Sequence, residues 1–279
     1  MAEITAAAVK ALREITDLPM MACKKALQDA GGDQEKAIEI LREDAGKIQL
    51  KRSGNDTKEG RITILSSDDG SQTVMLEVVC ESAPVASGED LVGFSNVCAN
   101  QLLAHPEVDS VEALLALSSE KSPGKTLNDD FMDMLNKIRE KIVVSRIARA
   151  EAPNGGYVHH DGKTGVLFQA SGSATDAADL LRGVAMHIAA LKPTVVNETG
   201  LDPAVIQEER DRLVAEAKAT GKPDNIIDKI VDGRMKTFFV EQGVLVYQPF
   251  AVDDSKTVSQ ALAEKGLEAV SFTRWSIGG

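Results

Sequence analysis

One order of elements occurs twice in this chain, and that repetition limits the folds open to it more than any single motif does. "RITILSSDDGSQTVMLEVVC" (61–80) is two β-rich runs around an Asp-Asp-Gly-Ser turn, which reads as a hairpin. A loop, "ESAPVASGED", leads into a helix carrying Leu91, Phe94, Val97 and Leu102. Further on, "GYVHHDGKTGVLFQA" (156–170) is a second hairpin around Asp-Gly, followed by "SGSATD" and by Ala177, Leu181, Val184, Ile188 and Leu191 at spacings of four and three. Residue identity between the two units is slight, so the duplication is one of architecture, and the halves are expected to pack as one core. The stretch between them, 107–150, reads as helical, ending in the amphipathic "FMDMLNKIREKIVVSRIARAEA".

Three regions flank this core. Residues 1–45 read as a miniature bundle of short helices, with Val9, Leu12 and Ile15 as the stripe of the first and Ala37, Ile38 and Leu41 that of the third. "GGD" ends one helix and supplies Asp33 to cap the next. The middle helix is expected to take Asp17 as its cap, Pro19 in its first turn, and Met20, Cys23, Leu27 and Ala30 as its stripe. Residues 46–60 read as a polar linker, and 61–150 as the first subdomain of the core. The second subdomain is 151–202 with 243–279, where "VLVYQPF" and "AVSFTRWSI" are strand-like and expected to complete its sheet. Inserted in it, 203–242 reads as a projecting helical hairpin that turns at "GKPDN", with Gly221 stopping one helix. Its seam, Ile206 with Leu213 and Ile230 with Thr237, is short and imperfect. Aromatic residues make up only 4% of the chain, so its core must be built from Ala, Val, Leu and Ile, a mix that suits helices on small sheets. The fold class expected is α+β.

Met20 and Met21 stand side by side at the start of the middle helix. Neighbours on a helix point about 100° apart, so one core stripe takes only one of them. Met21 shares a face with Lys24, Lys25 and Gln28 and is expected to meet water. It is either an ordinary exposed apolar residue or, with Met20 and Arg13, a small adhesive patch for another protein.

Signals for chemistry are weak by comparison. A phosphate loop needs Gly five positions before Gly-Lys-Thr, and those positions are Tyr157 and Ser119. His105, His159, His160 and His187 are too scattered for a metal cluster, and His159 and His160 on a strand would point to opposite faces. Asp161 beside them reads as a hairpin tip rather than an acid/base group, His187 as a residue at the edge of the core, and no Ser or Cys stands in a nucleophile elbow. Cys23, Cys80 and Cys98 have no spacing for zinc or a disulfide framework, which fits reduced thiols. A net charge of −12 disfavours broad contact with nucleic acid. No apolar run reaches membrane-spanning length, and the first residues carry no targeting pattern, so the expected location is cytoplasmic. The class left is binding: a lobed acidic protein that holds another protein at several points.

"MAEITAAAVKALREITDLPMMACKKALQDAGGDQEKAIEILRE" resembles the N-terminal bundle of bacterial elongation factor Ts, itself similar to ubiquitin-associated domains. "GVLF", "VAMHIAALKP", "GKPDNIIDKIVDGRMKTFF" with "QPF", and "DDSKTVSQAL" continue the resemblance in order along almost the whole chain. The family implies a guanine-nucleotide exchange factor for elongation factor Tu that makes no covalent bond and needs no cofactor. It implies that Arg13, Met20 and Met21 form the bundle's contact with the partner, that His159 lies near it, and that the helical hairpin touches it or mediates self-association. Where the family usually reads Thr-Asp-Phe-Val, with a phenylalanine that helps dislodge the partner's Mg²⁺, this chain has Ser82, Ala83, Pro84 and Val85. That loop is expected to act by shape, Pro84 biasing Ala83 toward an extended form and so making a stiff wedge. The alternatives are that Glu81 or Glu89 competes near the metal, or that the chain is a holder of the partner without exchange activity.

Overall fold

The computed structural model describes residues 4–174, 176–220 and 223–278. Its elements are mixed helix and small antiparallel sheet, an α+β protein. Helices α1 (Ala6–Thr16), α2 (Met20–Asp29) and α3 (Gln34–Lys51) close around Val9, Leu12, Leu18, Cys23, Leu27, Ala37 and Leu41. Thr5 caps α1 by accepting from the Ala8 N–H, and Asp33 caps α3 by accepting from Glu35 and Lys36. Asp17 is not the cap of α2. It ends α1 in the left-handed region (φ 54°), where a short polar side chain is tolerated, and Pro19 precedes the first turn of α2. Nor is 46–51 a linker: α3 runs on to Lys51 because Ala45 enters the larger core and Gln49 bonds to the backbone of Glu140 and Ile142.

The first half of the core is β1 (Glu59–Ser66), β2 (Gln72–Cys80), α4 (Ala83–Ala86), α5 (Glu89–Ala104), α6 (Val111–Ala116), α7 (Leu127–Ile138) and β3 (Ile142–Glu151). The helical reading of 107–150 fails at 117–126, a non-helical connection that carries the Ser118–Thr126 bridge, and again at its end. Arg139 stops α7 in the left-handed region (φ 60°), and the β-branched run at Ile142–Val144 then joins the sheet as an antiparallel neighbour of β2. The sheet order is β1-β2-β3.

The second half repeats the plan with β4 (Asn154–Val158), β5 (Thr164–Gly172) and α8 (Ala178–Leu191), then inserts α9 (Pro203–Ala219) and α10 (Asp224–Glu241). It closes with β6 (Pro249–Phe250), β7 (Asp253–Thr257), α11 (Val258–Ala263) and β8 (Leu267–Ser276). The terminal strand completes the sheet β4-β5-β8, whereas "VLVYQPF" does not: its Leu245–Tyr247 is a 3-10 turn, and β6 pairs only with β7. The turn residues Gly221 and Lys222 of the helical hairpin lie outside the described residues. Its seam is Leu213 and Ala217 against Ile227, Val231, Met235 and Phe239 at spacings of four, while Ile230 is half-buried and Thr237 exposed.

The two sheets pack face to face, with α5 on the outer face of the first and α8 on that of the second. Ile62, Met75, Ala150, Leu167, Trp275 and Ile277 fill the space between them. Each central strand is therefore covered on both sides: Val74, Leu76 and Val78 face the helix layer and Met75 the opposite sheet. The buried Glu77 pairs bidentately with Arg146, whose guanidinium lies 4.5 Å over the Trp275 ring and so ties β2 and β3 to β8.

Candidate partner-binding surface

The short α1–α2 connection governs the first patch. Leu18 is buried and pulls the chain inward, which turns the residues on either side outward. Ile15 is 57% exposed, Met20 51% and Met21 73%, and Arg13 is exposed as well. Both Ile15 and Met20 were expected in a core stripe. The small bundle core is filled by residues such as Leu12, Leu18, Cys23, Leu27 and Leu41, and the stripe ends stay outside. The result is an apolar edge of adaptable side chains.

A groove separates this edge from the core. Ile15 and Asp17 line one wall; Glu89, Asp90 and Phe94 of the first turns of α5 line the other. Lys137 spans it, with Nζ 2.9 Å from Asp17 and 3.1 Å from Asp90. The bonds to Asp17 and then Asp90 hold the lysine above its ordinary pKa, and the same contact holds Asp17 below the usual carboxylate range.

Just before α5, Ala83, Pro84 and Val85 enter the one-turn helix α4, with Ser82 as its extended N-cap residue, rather than forming an extended wedge. Pro84 sits in its first turn, where the missing N–H is not needed, and the Ser82 carbonyl accepts from Ala86 N–H at 3.1 Å. The usual extended bias on a residue before proline is overridden at Ala83 by this turn. Ala83 and Pro84 are exposed, Val85 is half-buried against the core and Ala86 is buried, so the turn stands as a small apolar knob with its base fixed.

Glu81, read from sequence as a competitor for a metal, has its carboxylate engaged in the fold. It accepts from the Lys141 N–H, from Arg52 and from Asn55. Those contacts, led by the backbone N–H of Lys141, hold its pKa below the ordinary value. His159 lies on the β4–β5 turn, apart from these groups, with Nδ1 3.0 Å from the Tyr157 hydroxyl. Its ring centroid is 4.2 Å from that of His160, so the two rings stand together instead of on opposite faces: the strand ends at Val158 and the turn brings them round. Residues that the sequence did not single out are Glu140, Lys141 and Arg52, which hold the base of α4. Their signal is long-range pairing, invisible to local spacing.

The exposed side chains of Ile15, Met20 and Met21 and the apolar turn at Ala83 and Pro84 are the apolar surface features at the sequence-predicted positions. The family model described as "Elongation factor TS" matches residues 84–279. Elongation factor Ts of Thiobacillus denitrificans is 40% identical over 280 aligned positions, covering all of this chain and 93% of that protein. The factor of Methylococcus capsulatus is 41% identical, covering 99% and 92% respectively. That of Chlorobium phaeobacteroides is 35% identical over the full length of both. The chain belongs to the elongation factor Ts family, the translation elongation factors that act in nucleotide exchange.

Proposed function

We propose that this chain accelerates loss of GDP from elongation factor Tu by holding the empty partner more tightly than the loaded one. The observation that carries the reading is the exposed edge at Ile15, Met20 and Met21 in a chain of this family. By linkage, a factor that prefers the nucleotide-free partner weakens GDP binding by the same ratio, and no bond need be made or broken. In this reading the N-terminal bundle is a ubiquitin-associated-like module that docks through Arg13, Met20 and Met21. Ser82, Ala83, Pro84 and Val85 act as the knob that disturbs the partner's Mg²⁺ and phosphate contacts, by shape rather than charge. His159 is a further contact, and the α9–α10 hairpin touches the partner or a second copy of the chain. The protein works in the cytoplasm, away from membranes and without direct nucleic-acid contact.

Release of a fluorescent GDP from elongation factor Tu tests this. The wild-type chain is expected to accelerate release at substoichiometric amounts. Replacing Met20 and Met21 by Ala together should raise the half-saturating concentration about tenfold, since buried interface anchors commonly contribute more than about 1–2 kcal/mol. Pro84→Gly should lower the maximal rate with binding intact. Binding without any acceleration would reduce the protein to a passive holder and defeat the proposal.

A further inference from the structure

Two carboxylates cross over one another at the base of α4. Glu81 reaches across to accept the backbone N–H of Lys141 at 2.6 Å. Glu140, the residue before that lysine, reaches back to accept the backbone N–H of Ser82 at 3.1 Å and its hydroxyl at 2.8 Å. Each segment thus supplies a carboxylate to the N–H of the other, just beyond the point where the β2–β3 ladder ends at Cys80 and Ile142. Three further hydrogen bonds extend the clamp to α3 and the segment that follows it. Lys141 Nζ donates to the carbonyls of Ser53 and Asn55, at 2.6 and 2.8 Å, and Gln49 of α3 donates to the Glu140 carbonyl at 2.6 Å. Helix α3 itself belongs to both regions, with Ala37 and Leu41 in the bundle core and Ala45 in the larger one.

We propose that Glu140 is a positioning residue for nucleotide exchange: its reciprocal clamp with Glu81 holds α4 preformed and in fixed relation to the bundle, so that docking of one drives the other into the partner. This rests on the exchange reading above. Glu140 itself need touch neither nucleotide nor partner. A single turn of four residues is far below the length at which a helix holds itself together, and Ser82 makes no side-chain cap for it. Burial of Ala86 fixes the far end of the turn, and charge-assisted bonds from Glu140 fix the near end. A preformed knob spends no binding free energy on ordering, which leaves that free energy for displacing the nucleotide.

The test separates rate from binding. Maximal GDP release at saturating factor, and the factor concentration that gives half of it, are measured for wild type, Glu140→Gln and Glu140→Ala. Glu140→Ala should lower the maximal rate about tenfold, the equivalent of one charge-assisted hydrogen bond, and move the half-saturating concentration less than about twofold. Glu140→Gln keeps an oxygen for the Ser82 N–H and should recover a large part of the rate. Amide exchange at Ala86 and Ser87, whose N–H groups bond to the carbonyls of Ser82 and Ala83, should quicken in Glu140→Ala while α5 is unchanged. An unchanged maximal rate would overturn the proposal. So would rate, half-saturation and melting temperature moving together, the mark of a merely structural clamp. If Glu140→Ala does not fold, the rate and amide exchange of Glu140→Gln decide in the same way. A wild-type chain that fails to release GDP would instead defeat the exchange reading, while amide exchange would still report whether Glu140 orders α4.

Discussion

The two halves of the core share a plan and differ at the link between hairpin and helix. Both are three-stranded antiparallel sheets with the second strand central, β1-β2-β3 and β4-β5-β8. Both shift register once between the central and last strands, at Glu77/Val78 and at Gln169/Ala170. In the first half the link becomes α4, exposed at Ala83 and Pro84 and held by crossed carboxylates. In the second, Ala177, the residue before α8, is buried among the residues under that helix, and the buried polar group is His187 within α8, bonded to Gln248 and Ala251 rather than to the link. Where the plan repeats, burial dictates the structure. Where it departs, a few polar bonds do, and the departure in the first half is where the proposed exchange knob stands.

The comparison breaks first if the halves do not unfold together. Phe168 and Leu76 occupy the helix-facing side of the two central strands, and both are fully buried. Phe168→Ala should cost about 3–5 kcal/mol and Leu76→Ala about 2–5 kcal/mol in urea unfolding. Because Met75, Leu167 and Trp275 join the sheets face to face, each substitution should move a single transition. Two resolved transitions would show that the halves are independent domains.

A smaller effect tests how closely helix and sheet approach in the second half. A Cβ on Gly155 of β4 would lie 2.4 Å from the backbone carbonyl carbon and oxygen of Leu181 in α8. Backbone cannot move aside as a side-chain end does, so Gly155→Ala should destabilise by about 1–3 kcal/mol in the same assay. The opposite expectation holds at Gly93 on α5, where a Cβ meets nothing within 4 Å and Ala removes a helix-interior glycine. Gly93→Ala should be neutral or stabilise by up to about 1 kcal/mol. Equal destabilisation at both would mean that the halves pack their helices alike.

What was legible in the sequence follows the same division. The hairpins, α5, α8 and the paired helices of the insertion could be read because each is specified by its own period and turn residues, as at Asp68–Ser71 and Asp161–Gly162. Strand β3 was missed because "KIVVSRIARAE" carries a helical stripe when read alone; only β2 on one side and the opposite sheet on the other make it a strand. Met21 was legible as exposed from its neighbours, but Ile15 and Met20 were not, since how much of a stripe a small bundle can cover is a tertiary property. The knob residues were legible only through the resemblance, as the counterpart of Thr-Asp-Phe-Val, while their helical turn was not, because the bonds that hold it come from Glu140, far along the chain.

The smallest effect concerns protons, and it falls on the second half alone. His187 is fully buried on the inner face of α8, with Nε2 2.9 Å from Gln248 Oε1 and Nδ1 accepting from the Ala251 N–H at 3.1 Å. That places the single ring proton on Nε2, so the residue is a core histidine rather than one at the core's edge, and it is neutral. Burial lowers its pKa from the ordinary 6.5, against a smaller upward pull from Gln248. As pH falls through about 6.5 the unfolded chain takes up a proton that the folded chain refuses, so the unfolded state gains and stability declines toward the folded value. Carboxylates such as Asp69, held at about 2, and Glu81, held below 4.5, act lower: their contribution is full above their unfolded values and is lost only beneath them. Urea stability measured at pH 7.5, 6.5 and 5.5 should therefore decline with acid in the wild type and lose that dependence in His187→Gln, which has no proton to gain. An identical slope in both would move the acid sensitivity out of α8 and remove this difference between the halves.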